Sequence, residues 1–326
     1  MNRHILMPVI AALALGASAL TANAENIAVG NYGVSANGMP FAVALAKGFF
    51  KEEGANVTGI ISSAGGGTSV RNAFGVAYGE ANPCAIAVAI KQGADLKIVS
   101  DNVLTIAEFA WMVKKDSPIK TIADLKGKKI GYTNPRSTSQ ALGVLLLAKA
   151  GYKPEEAELT KTGGFGEGIA ALELGQIDVA AVTEPLWSKV ADKYRVLITG
   201  AEALPPLDNV VGVVTGEAAR TRGDFIRAVI RARRRAVEFM YANPDEAGDI
   251  VAKPFNITPE VARNAVRNLT KSSTQGIPYW GSGQIHLDGM KRIIEVQKSV
   301  GAITGDFDLS AMIDTSFLPD DIKKPK

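Results

Sequence analysis

Short apolar segments alternate with helical stretches up to about residue 198. A first set has apolar segments at residues 27–31, 57–62, 76–80 and 96–100, with helical segments at 39–50, 68–74 and 83–92. A second set has apolar segments at residues 130–132, 177–182 and 196–198, with helical segments at 137–150, 166–174 and 185–193. This order predicts an α/β fold, in which helices cover sheets that are mostly parallel. Because the order occurs twice, we expect two α/β lobes.

The segments outside these two sets indicate how the lobes are connected. The polar segment 114–120 contains Pro118 and marks a change of unit. A β-branched segment at 210–214 follows Pro205 and Pro206, and the chain beyond it is almost wholly helical. The predicted division is a discontinuous lobe I of residues 25–113 plus 212–326, a lobe II of residues 114–211, and hinges at 113–115 and 211–214.

The N-terminal residues have the composition of a secretory signal peptide. Arg3 and His4 precede an apolar segment at residues 5–20, and the small residues Ala22 and Ala24 follow it. The apolar segment is shorter than the roughly 20 residues that a membrane-spanning helix needs, so a retained anchor is the weaker interpretation. We predict a signal peptide of residues 1–24, cleaved after Ala24. No cysteine follows directly, which argues against lipid attachment and predicts a periplasmic protein.

Composition and charge disfavour several classes of function. The chain has 36 Lys and Arg against 33 Asp and Glu, and its net charge of +3 does not favour a nucleic-acid partner. Cys84 is the single cysteine, and removal of the signal peptide leaves His286 as the single histidine. These two residues cannot form a zinc site, and a serine triad would need His286 as its base. We therefore expect a protein that is not an enzyme.

Residues 72–83 and 172–185 share one pattern of helix, glycine, strand, polar residue, proline and helix. Proline suits the first position of a helix because the N–H group that it lacks would have no partner there. Asn82 and Glu184 are therefore predicted at helix starts. Ligands of open α/β sheets bind beyond the carboxyl ends of strands, so we expect both side chains to face one crevice. Two ordinary strand-to-helix turns are the alternative interpretation.

Four segments of the sequence resemble a known family. They are residues 46–54 (AKGFFKEEG), 122–131 (IADLKGKKIG), 171–180 (ALELGQIDVA) and 243–247 (NPDEA). In this order they are similar to the solute-binding proteins of ABC importers for nitrate, sulfonates, taurine and pyrimidine precursors of thiamine. The resemblance implies a type II periplasmic binding protein fold, with two α/β lobes joined by two crossover strands and no cofactor. It also implies a small-molecule ligand and a membrane permease as partners, and we expect a monomer.

Two predicted helix starts carry hydrogen-bond donors for an anion. The candidate residues are Gly66, Gly67, Thr68 and Ser69 in lobe I and Arg136, Ser137, Thr138 and Ser139 in lobe II. Free N–H groups at a helix start, hydroxyl groups and an arginine can bind carboxylate, sulfonate or nitrate oxygens. We therefore predict that the ligand is a small organic anion, either sulfonate-like or an aromatic carboxylate. The alternatives are a flexible capped turn for the glycine segment and a solvated loop for Arg136.

Further candidates for ligand contact are Asn37, Asn82, Phe165, Glu184 and Trp187. The resemblance implies that the turn containing Asn37 contacts the ligand. Phe165 and Trp187 could cover an apolar part of the ligand, although an aromatic residue near a helix start more often packs in a core. The carboxylate of Glu184 would repel an anion. The alternative ligand is therefore an amino-pyrimidine, or a zwitterion such as an aminosulfonate, with a donor group that Glu184 recognises.

The main functional prediction is capture by closure, in which ligand contacts from both lobes favour a closed form that the importer recognises. A pyrimidine-synthase-like enzyme is one alternative, since such enzymes resemble the same family. Those enzymes carry a cysteine-rich segment and act inside the cell, whereas this chain has Cys84 alone and a predicted signal peptide. A sensor that reports to a membrane receptor would bind its ligand in the same way.

Overall fold

The computed structural model of the chain describes residues 24–63, 66–135 and 137–326. The predicted signal peptide lies outside the described residues except for Ala24, and the predicted ligand residue Arg136 lies outside them as well. Within the described ranges, no helix combines the length and the apolar character needed to cross a membrane.

The strands belong to three sheets. They are β1 (Glu25–Gly30), β2 (Val57–Ser63), β3 (Gly79–Ala81), β4 (Leu96–Val103), β5 (Phe109–Lys114), β6 (Lys129–Tyr132), β7 (Glu158–Lys161), β8 (Val179–Thr183), β9 (Tyr194–Thr199), β10 (Val210–Thr215), β11 (Ser273–Thr274), β12 (Ile277–Pro278) and β13 (Trp280–Gly283). β11 and β12 form a two-stranded ribbon, and the other strands form one large sheet in each lobe.

The helices fill the connections between the strands and most of the C-terminal part. They are α1 (Met39–Ala46), α2 (Phe49–Glu52), α3 (Gly66–Ala73), α4 (Pro83–Lys91), α5 (Thr138–Lys149), α6 (Phe165–Glu173), α7 (Leu186–Val190), α8 (Gly200–Ala203), α9 (Gly216–Thr221), α10 (Gly223–Ala242), α11 (Pro244–Ala252), α12 (Pro259–Lys271), α13 (Leu287–Ser299) and α14 (Leu309–Met312). Short 3-10 helices lie at Ala36–Gly38, Ile122–Leu125, Pro154–Glu156, Thr315–Phe317 and Asp320–Ile322.

Lobe I is built around a six-stranded sheet with the strand order β13-β4-β10-β3-β1-β2. β1 pairs in parallel with β2, which places Ile27 beside Ile60. β10 runs antiparallel between β3 and β4. Its sequence VVGVVT is apolar almost throughout because helices cover both faces of the sheet, as is usual for the inner strands of an α/β sheet.

Lobe II is built around a five-stranded sheet with the strand order β7-β6-β8-β5-β9. β6 is parallel to β7 and β8, and β5 runs antiparallel between β8 and β9. Ala110 of β5 therefore lies beside Val182 on one side and Thr199 on the other. In each large sheet, the strand that the chain enters directly after crossing from the other lobe runs antiparallel to both of its neighbours. This strand is β5 in lobe II and β10 in lobe I. The predicted fold of two α/β lobes joined by two crossover strands is confirmed.

The chain crosses between the lobes at residues 104–108 and again at residues 200–209. The first crossing lies before the predicted boundary at 113/114, because β5 forms its hydrogen bonds within the sheet of lobe II. β5 is apolar because it is buried in that sheet, between β8 and β9. The second predicted boundary, at 211/212, falls inside β10, which begins at Val210.

The C-terminal helices pack on lobe I and reach across to lobe II. α10 buries residues three or four positions apart, including Ile226, Ile230 and Val237, as an amphipathic helix does on a core. It packs against α1 and β13 of lobe I. α12 contacts α7 of lobe II, and α13 contacts α5 of lobe II. The C-terminal helices therefore bound two sides of the space between the lobes.

Arg233 of α10 is buried in lobe I with 2% of its surface exposed. Its Nη1 donates to the carbonyl oxygen of Gly281 and its Nη2 to that of Asn102, each over 2.7 Å, and its Nε lies 3.6 Å from Oε1 of Glu80. These contacts join α10 to β3, β4 and β13. Removing one partner from such a buried pair typically costs about 3–5 kcal/mol, so Arg233 is a strong structural link in lobe I.

Candidate functional site

A cleft of about 1320 Å³ lies between the two lobes. Lobe I contributes residues of the segment 30–37, the start of α4 and residues 255–257. Lobe II contributes residues of the segments 133–139, 163–167 and 183–189. Pockets for small molecules usually measure about 300–1,000 Å³, so this cleft has room for an organic molecule rather than a small inorganic ion alone.

The start of α5 supplies the donors of lobe II. Ser137 caps the helix, since its Oγ accepts a hydrogen bond from the N–H group of Gln140 over 3.2 Å. Oγ of Ser139 lies 2.9 Å from both Oγ of Ser137 and Oγ1 of Thr133. The N–H groups of Thr138 and Ser139 have no partner among the described residues, as is usual for the first turn of a helix. Ser137, Thr138 and Ser139 all line the cleft, as predicted.

The predicted donors of lobe I lie at the cleft only in part. Gly66 and Gly67 begin α3. Ser69 lines the cleft and is buried. Thr68 does not line it, and its Oγ1 accepts a hydrogen bond from Nη2 of Arg71 over 3.1 Å. Ser69 is therefore the side chain of this set that shares the cleft with the start of α5.

Asn37 and Asn82 both line the cleft. Asn37 is buried, and its Nδ2 donates to the carbonyl oxygen of Gly30 over 2.7 Å, which holds the turn after β1. Asn82 caps α4, because its Oδ1 accepts from the N–H group of Cys84 over 2.9 Å. The predicted helix start at Asn82 is thereby confirmed.

Cys84, in the first turn of α4, also lines the cleft. Its thiol is buried and its Sγ lies 3.7 Å from the carbonyl oxygen of Ile293, to which it donates. Burial raises the pKa of this thiol to about 12. Because the thiolate is the nucleophilic form, a thiol with this pKa is unreactive near neutral pH.

Glu184 does not line the cleft, although the sequence predicts it there. It is fully buried, and its carboxylate accepts hydrogen bonds from the N–H and hydroxyl groups of Ser188 over 3.1 and 2.9 Å. Nδ2 of Asn268 donates to the same carboxylate over 2.7 Å. Burial raises the pKa of Glu184, and these donors oppose the shift. The donors that Glu184 needs come from the protein itself.

The aromatic side chains at the cleft differ from those that the sequence indicates. Trp187 does not line the cleft and packs against the core of lobe II. Phe165 does line it, and its ring meets that of Phe109 edge to face, with the ring centres 5.8 Å apart. Phe109 and Phe255 also line the cleft. Neither is predicted from the sequence, because Phe109 has the pattern of a buried strand residue and Phe255 lies far along the chain.

Glu108 and Asn209 end the two crossings and meet at the cleft. Nδ2 of Asn209 donates to Oε1 of Glu108 over 2.9 Å, and Oδ1 of Asn209 accepts from Nδ2 of Asn82 over 3.3 Å. Glu108 is 1% exposed, and burial raises the pKa of its carboxyl group to about 8. This pair is not predicted from the sequence. The available signal was an acidic residue set directly between the apolar residues Ala107 and Phe109.

Hydrogen bonds join the lobes around the cleft. The N–H group of Ala36 in lobe I donates to the carbonyl oxygen of Glu184 in lobe II over 3.2 Å. On another side, Nε2 of Gln297 donates to Oγ1 of Thr138 over 3.4 Å. Together with the bond from Asn268 to Glu184, these contacts bring the rims of both lobes together.

The described part of the cleft lining has few charged side chains, namely Glu108, Glu167 and Lys189. The starts of α4, α5 and α6 also lie there, and each contributes the partial positive charge of a helix N-terminus. Within the described residues, anion binding would therefore depend on helix starts and Lys189 rather than on a cluster of arginines.

Two α/β lobes with a shared cleft, each lobe holding one antiparallel crossover strand, define the periplasmic binding protein fold. The chain belongs to the NMT1/THI5-like family, whose model matches residues 35–247. It is also similar to the riboflavin-binding protein RibY of Chloroflexus aurantiacus, with 24% identity over 303 residues, which covers 86% of this chain and 82% of the relative.

Solved structures share this fold. The periplasmic aliphatic sulphonate binding protein SsuA of Escherichia coli superposes with a TM-score of 0.74 at 18% identity, covering 89% of this chain and 91% of SsuA. The desulfurization enzyme DSZB superposes with a TM-score of 0.64 at 13% identity, covering 90% of this chain and 97% of the enzyme. The same fold therefore occurs in a binding protein and in an enzyme.

Proposed function

We propose that the chain is the periplasmic solute-binding protein of an ABC importer and that it captures a small organic anion, sulfonate-like or an aromatic carboxylate. The observation that carries this proposal is the start of α5, where the N–H groups of Thr138 and Ser139 are available at a cleft between two lobes. Ser69 adds a hydroxyl group from the opposite lobe. Donors on both lobes allow one ligand to stabilise the closed form through its differential affinity for that form.

The names of similar proteins support a small solute and suggest which ligands to test. SsuA is named for aliphatic sulphonates and RibY for riboflavin. A sulfonate would place its oxygens at the start of α5. The volume of the cleft and the rings of Phe109, Phe165 and Phe255 suit a larger aromatic solute. The secretory signal predicted at residues 1–24 agrees with a periplasmic location.

The chemistry of the cleft favours binding over catalysis. Cys84 lines the cleft, but its pKa of about 12 keeps it in the unreactive thiol form. His286 lies away from the cleft lining, and its Nδ1 is 2.9 Å from the carbonyl oxygen of Gln284. A nucleophile with an adjacent base, as covalent catalysis requires, is therefore not assembled from these two residues.

The test is a thermal-shift screen of the mature protein, residues 25–326, against propane-1-sulfonate, taurine, nitrate, benzoate, 4-aminobenzoate, an aminopyrimidine and riboflavin. A ligand at about a hundredfold excess over its Kd stabilises the native state by about 2.7 kcal/mol. We expect an organic anion to raise the Tm and small-angle scattering to show a smaller radius of gyration in its presence. A rise in Tm with an unchanged scattering profile would contradict capture by closure.

The alternative ligand, an amino-pyrimidine or a zwitterion, is favoured by one observation. Glu108 places a carboxyl group at the cleft, where it would repel a simple anion if ionised. Within the screen, this alternative predicts that taurine or the aminopyrimidine stabilises the protein more than propane-1-sulfonate does. Delivery to an importer is separated from sensing by solute uptake, which deletion of the gene should abolish.

A further inference from the structure

Glu108 has one carboxylate oxygen with a partner and one without. Oε1 accepts a hydrogen bond from Asn209, whereas Oε2 is buried and has no hydrogen-bond partner among the described residues. Both Glu108 and Asn209 line the cleft. A buried polar atom without a partner costs free energy, and native proteins retain few of them.

Glu108 lies where the two crossings between the lobes meet at the cleft. It ends the first crossing between the lobes, and Asn209, which holds it, ends the second crossing. Asn209 in turn accepts from Asn82, the cap of α4. Residues from two other parts of the chain thus set the orientation of Oε1, while Oε2 is left free to bind a group from outside the protein.

We propose that Oε2 of Glu108 accepts a hydrogen bond from an N–H group of the ligand, so that the cleft selects solutes that carry an amine, amide or imide N–H. This inference rests on the proposed solute-binding function. Glu108 thereby recognises the donor group for which the sequence predicts Glu184, whose oxygens are occupied by Ser188 and Asn268.

Other charged groups near the cleft do not supply the missing donor. Glu167 carries the same charge and is exposed. Lys189 lines the cleft but forms no hydrogen bond with Glu108 in the described structure. Burial, with a smaller contribution from Glu108, raises the pKa of Tyr279, and its hydroxyl group is itself buried without a hydrogen-bond partner among the described residues, so it does not donate to Oε2. An N–H group of the ligand would give Oε2 its partner and would favour the ionised carboxylate.

The test compares pairs of probes that differ only in one nitrogen donor group, which is an ammonium, an amine and an imide in turn: taurine with propane-1-sulfonate, 4-aminobenzoate with 4-methylbenzoate, and riboflavin with 3-methylriboflavin. The Kd of each is measured by calorimetry for the wild-type protein and for Glu108→Gln. In the variant, the glutamine oxygen can still accept from Asn209, and its amide nitrogen replaces Oε2. The amide N–H of the glutamine then faces the N–H group of the probe, so the affinity for that probe should fall about tenfold, or about 1.4 kcal/mol. The affinity for the second probe of the pair, which lacks the N–H group, should hardly change.

The matched control is Glu80→Gln. Glu80 is also fully buried, with Oε1 bonded to Asn102 and Oε2 unpartnered among the described residues, but it does not line the cleft. This variant should keep the wild-type ratio of affinities within each pair, even if its Tm is lower. Should Glu108→Gln fail to fold, the wild-type protein provides the test. Its affinity for the N–H probe relative to the second probe of the pair should increase from about pH 6 to about pH 9 as Glu108 ionises.

The outcomes separate this inference from the proposed function. Loss of the preference for the N–H probe in Glu108→Gln, or its growth with pH in the wild type, supports the role of Glu108. Equal affinities within every pair that binds, or a preference that Glu108→Gln retains, would overturn that role and leave solute binding intact. Failure of all six compounds to bind the wild-type protein would overturn the proposed ligand classes and this inference together.

Discussion

Asn268 of α12 donates a hydrogen bond from its Nδ2 to Oε1 of Glu184, which follows β8, over 2.7 Å. The first residue belongs to the C-terminal helices on lobe I and the second to lobe II. Neither side chain lines the cleft. The two lobes are therefore joined by a contact that a ligand in the cleft does not touch.

We expect Asn268→Ala to weaken ligand binding without changing any residue of the cleft. The substitution removes a donor from a buried carboxyl group, a loss that costs about 1–3 kcal/mol. If this bond forms only when the lobes meet, the cost falls on the closed form, and the apparent Kd of a bound solute should rise about tenfold. Calorimetry with the solute identified by thermal shift would measure the change.

Asn264→Ala is the matched control for this prediction. Asn264 lies on the same helix, one turn earlier, and is exposed. Its removal should leave the Kd at the wild-type value. Equal affinities for the Asn268→Ala and Asn264→Ala proteins would show that the bond to Glu184 makes no difference to closure.

Ser137→Ala should reduce both stability and affinity. Ser137 caps α5, and loss of such a cap typically costs about 1 kcal/mol of stability. The same hydroxyl group contacts Ser139, so its loss also loosens the turn that carries the free N–H groups. Thr215→Ala removes the equivalent cap of α9, where neither Thr215 nor its chain neighbours line the cleft, and should lower the Tm to a similar extent without weakening binding. Similar affinities for both variants would argue against a ligand at the start of α5.

The stability of the ligand-free protein should fall as the pH rises, in part because of Glu108. Its pKa is 4.5 in the unfolded chain and about 8 in the native state, where burial disfavours the charged form. Between these values the native state binds more protons than the unfolded state, so the free energy of unfolding decreases with increasing pH. Glu108→Gln should therefore flatten the dependence of Tm on pH between about pH 5 and about pH 8.

Glu80 provides the reference for that measurement. Burial raises its pKa to about 7, so it contributes a slope of the same sign that remains in the Glu108→Gln protein. Differential scanning fluorimetry across this range should show a smaller slope in the variant, not a flat line. A slope as steep as in the wild type would mean that Glu108 is ionised in the native protein.

Cys84 should resist alkylation in the native protein. Its buried thiol has a pKa raised to about 12, and only the thiolate reacts rapidly with iodoacetamide. We expect almost no modification at about pH 8 without denaturant and complete modification in urea, measured by mass spectrometry. Because Cys84 is the single cysteine of the chain, the result needs no site assignment. Rapid labelling of the native protein would contradict the burial of this thiol.

The sequence predicts local structure, such as helix caps, more closely than it predicts the contacts of each side chain with distant parts of the chain. Asn82 and Ser137 obey local capping rules, and both caps are present. Asn82 and Glu184 follow the same sequence pattern, yet Asn82 lines the cleft while Glu184 binds Asn268, 84 residues further along. The apolar neighbours of Glu108 indicate only that it is buried, since its position at the cleft depends on two crossings that meet only in the folded chain.

The position of β10 has a consequence for the order in which the protein is made. The sheet of lobe I has β10 at its centre, so that β1, β2 and β3 are separated from β4 until the chain has returned from lobe II. The sheet of lobe II is formed by one uninterrupted stretch, residues 109–199. During synthesis, all strands of lobe II are therefore made before the sheet of lobe I is complete. The lobe that begins the chain is completed last, by residues from the far side of the insertion.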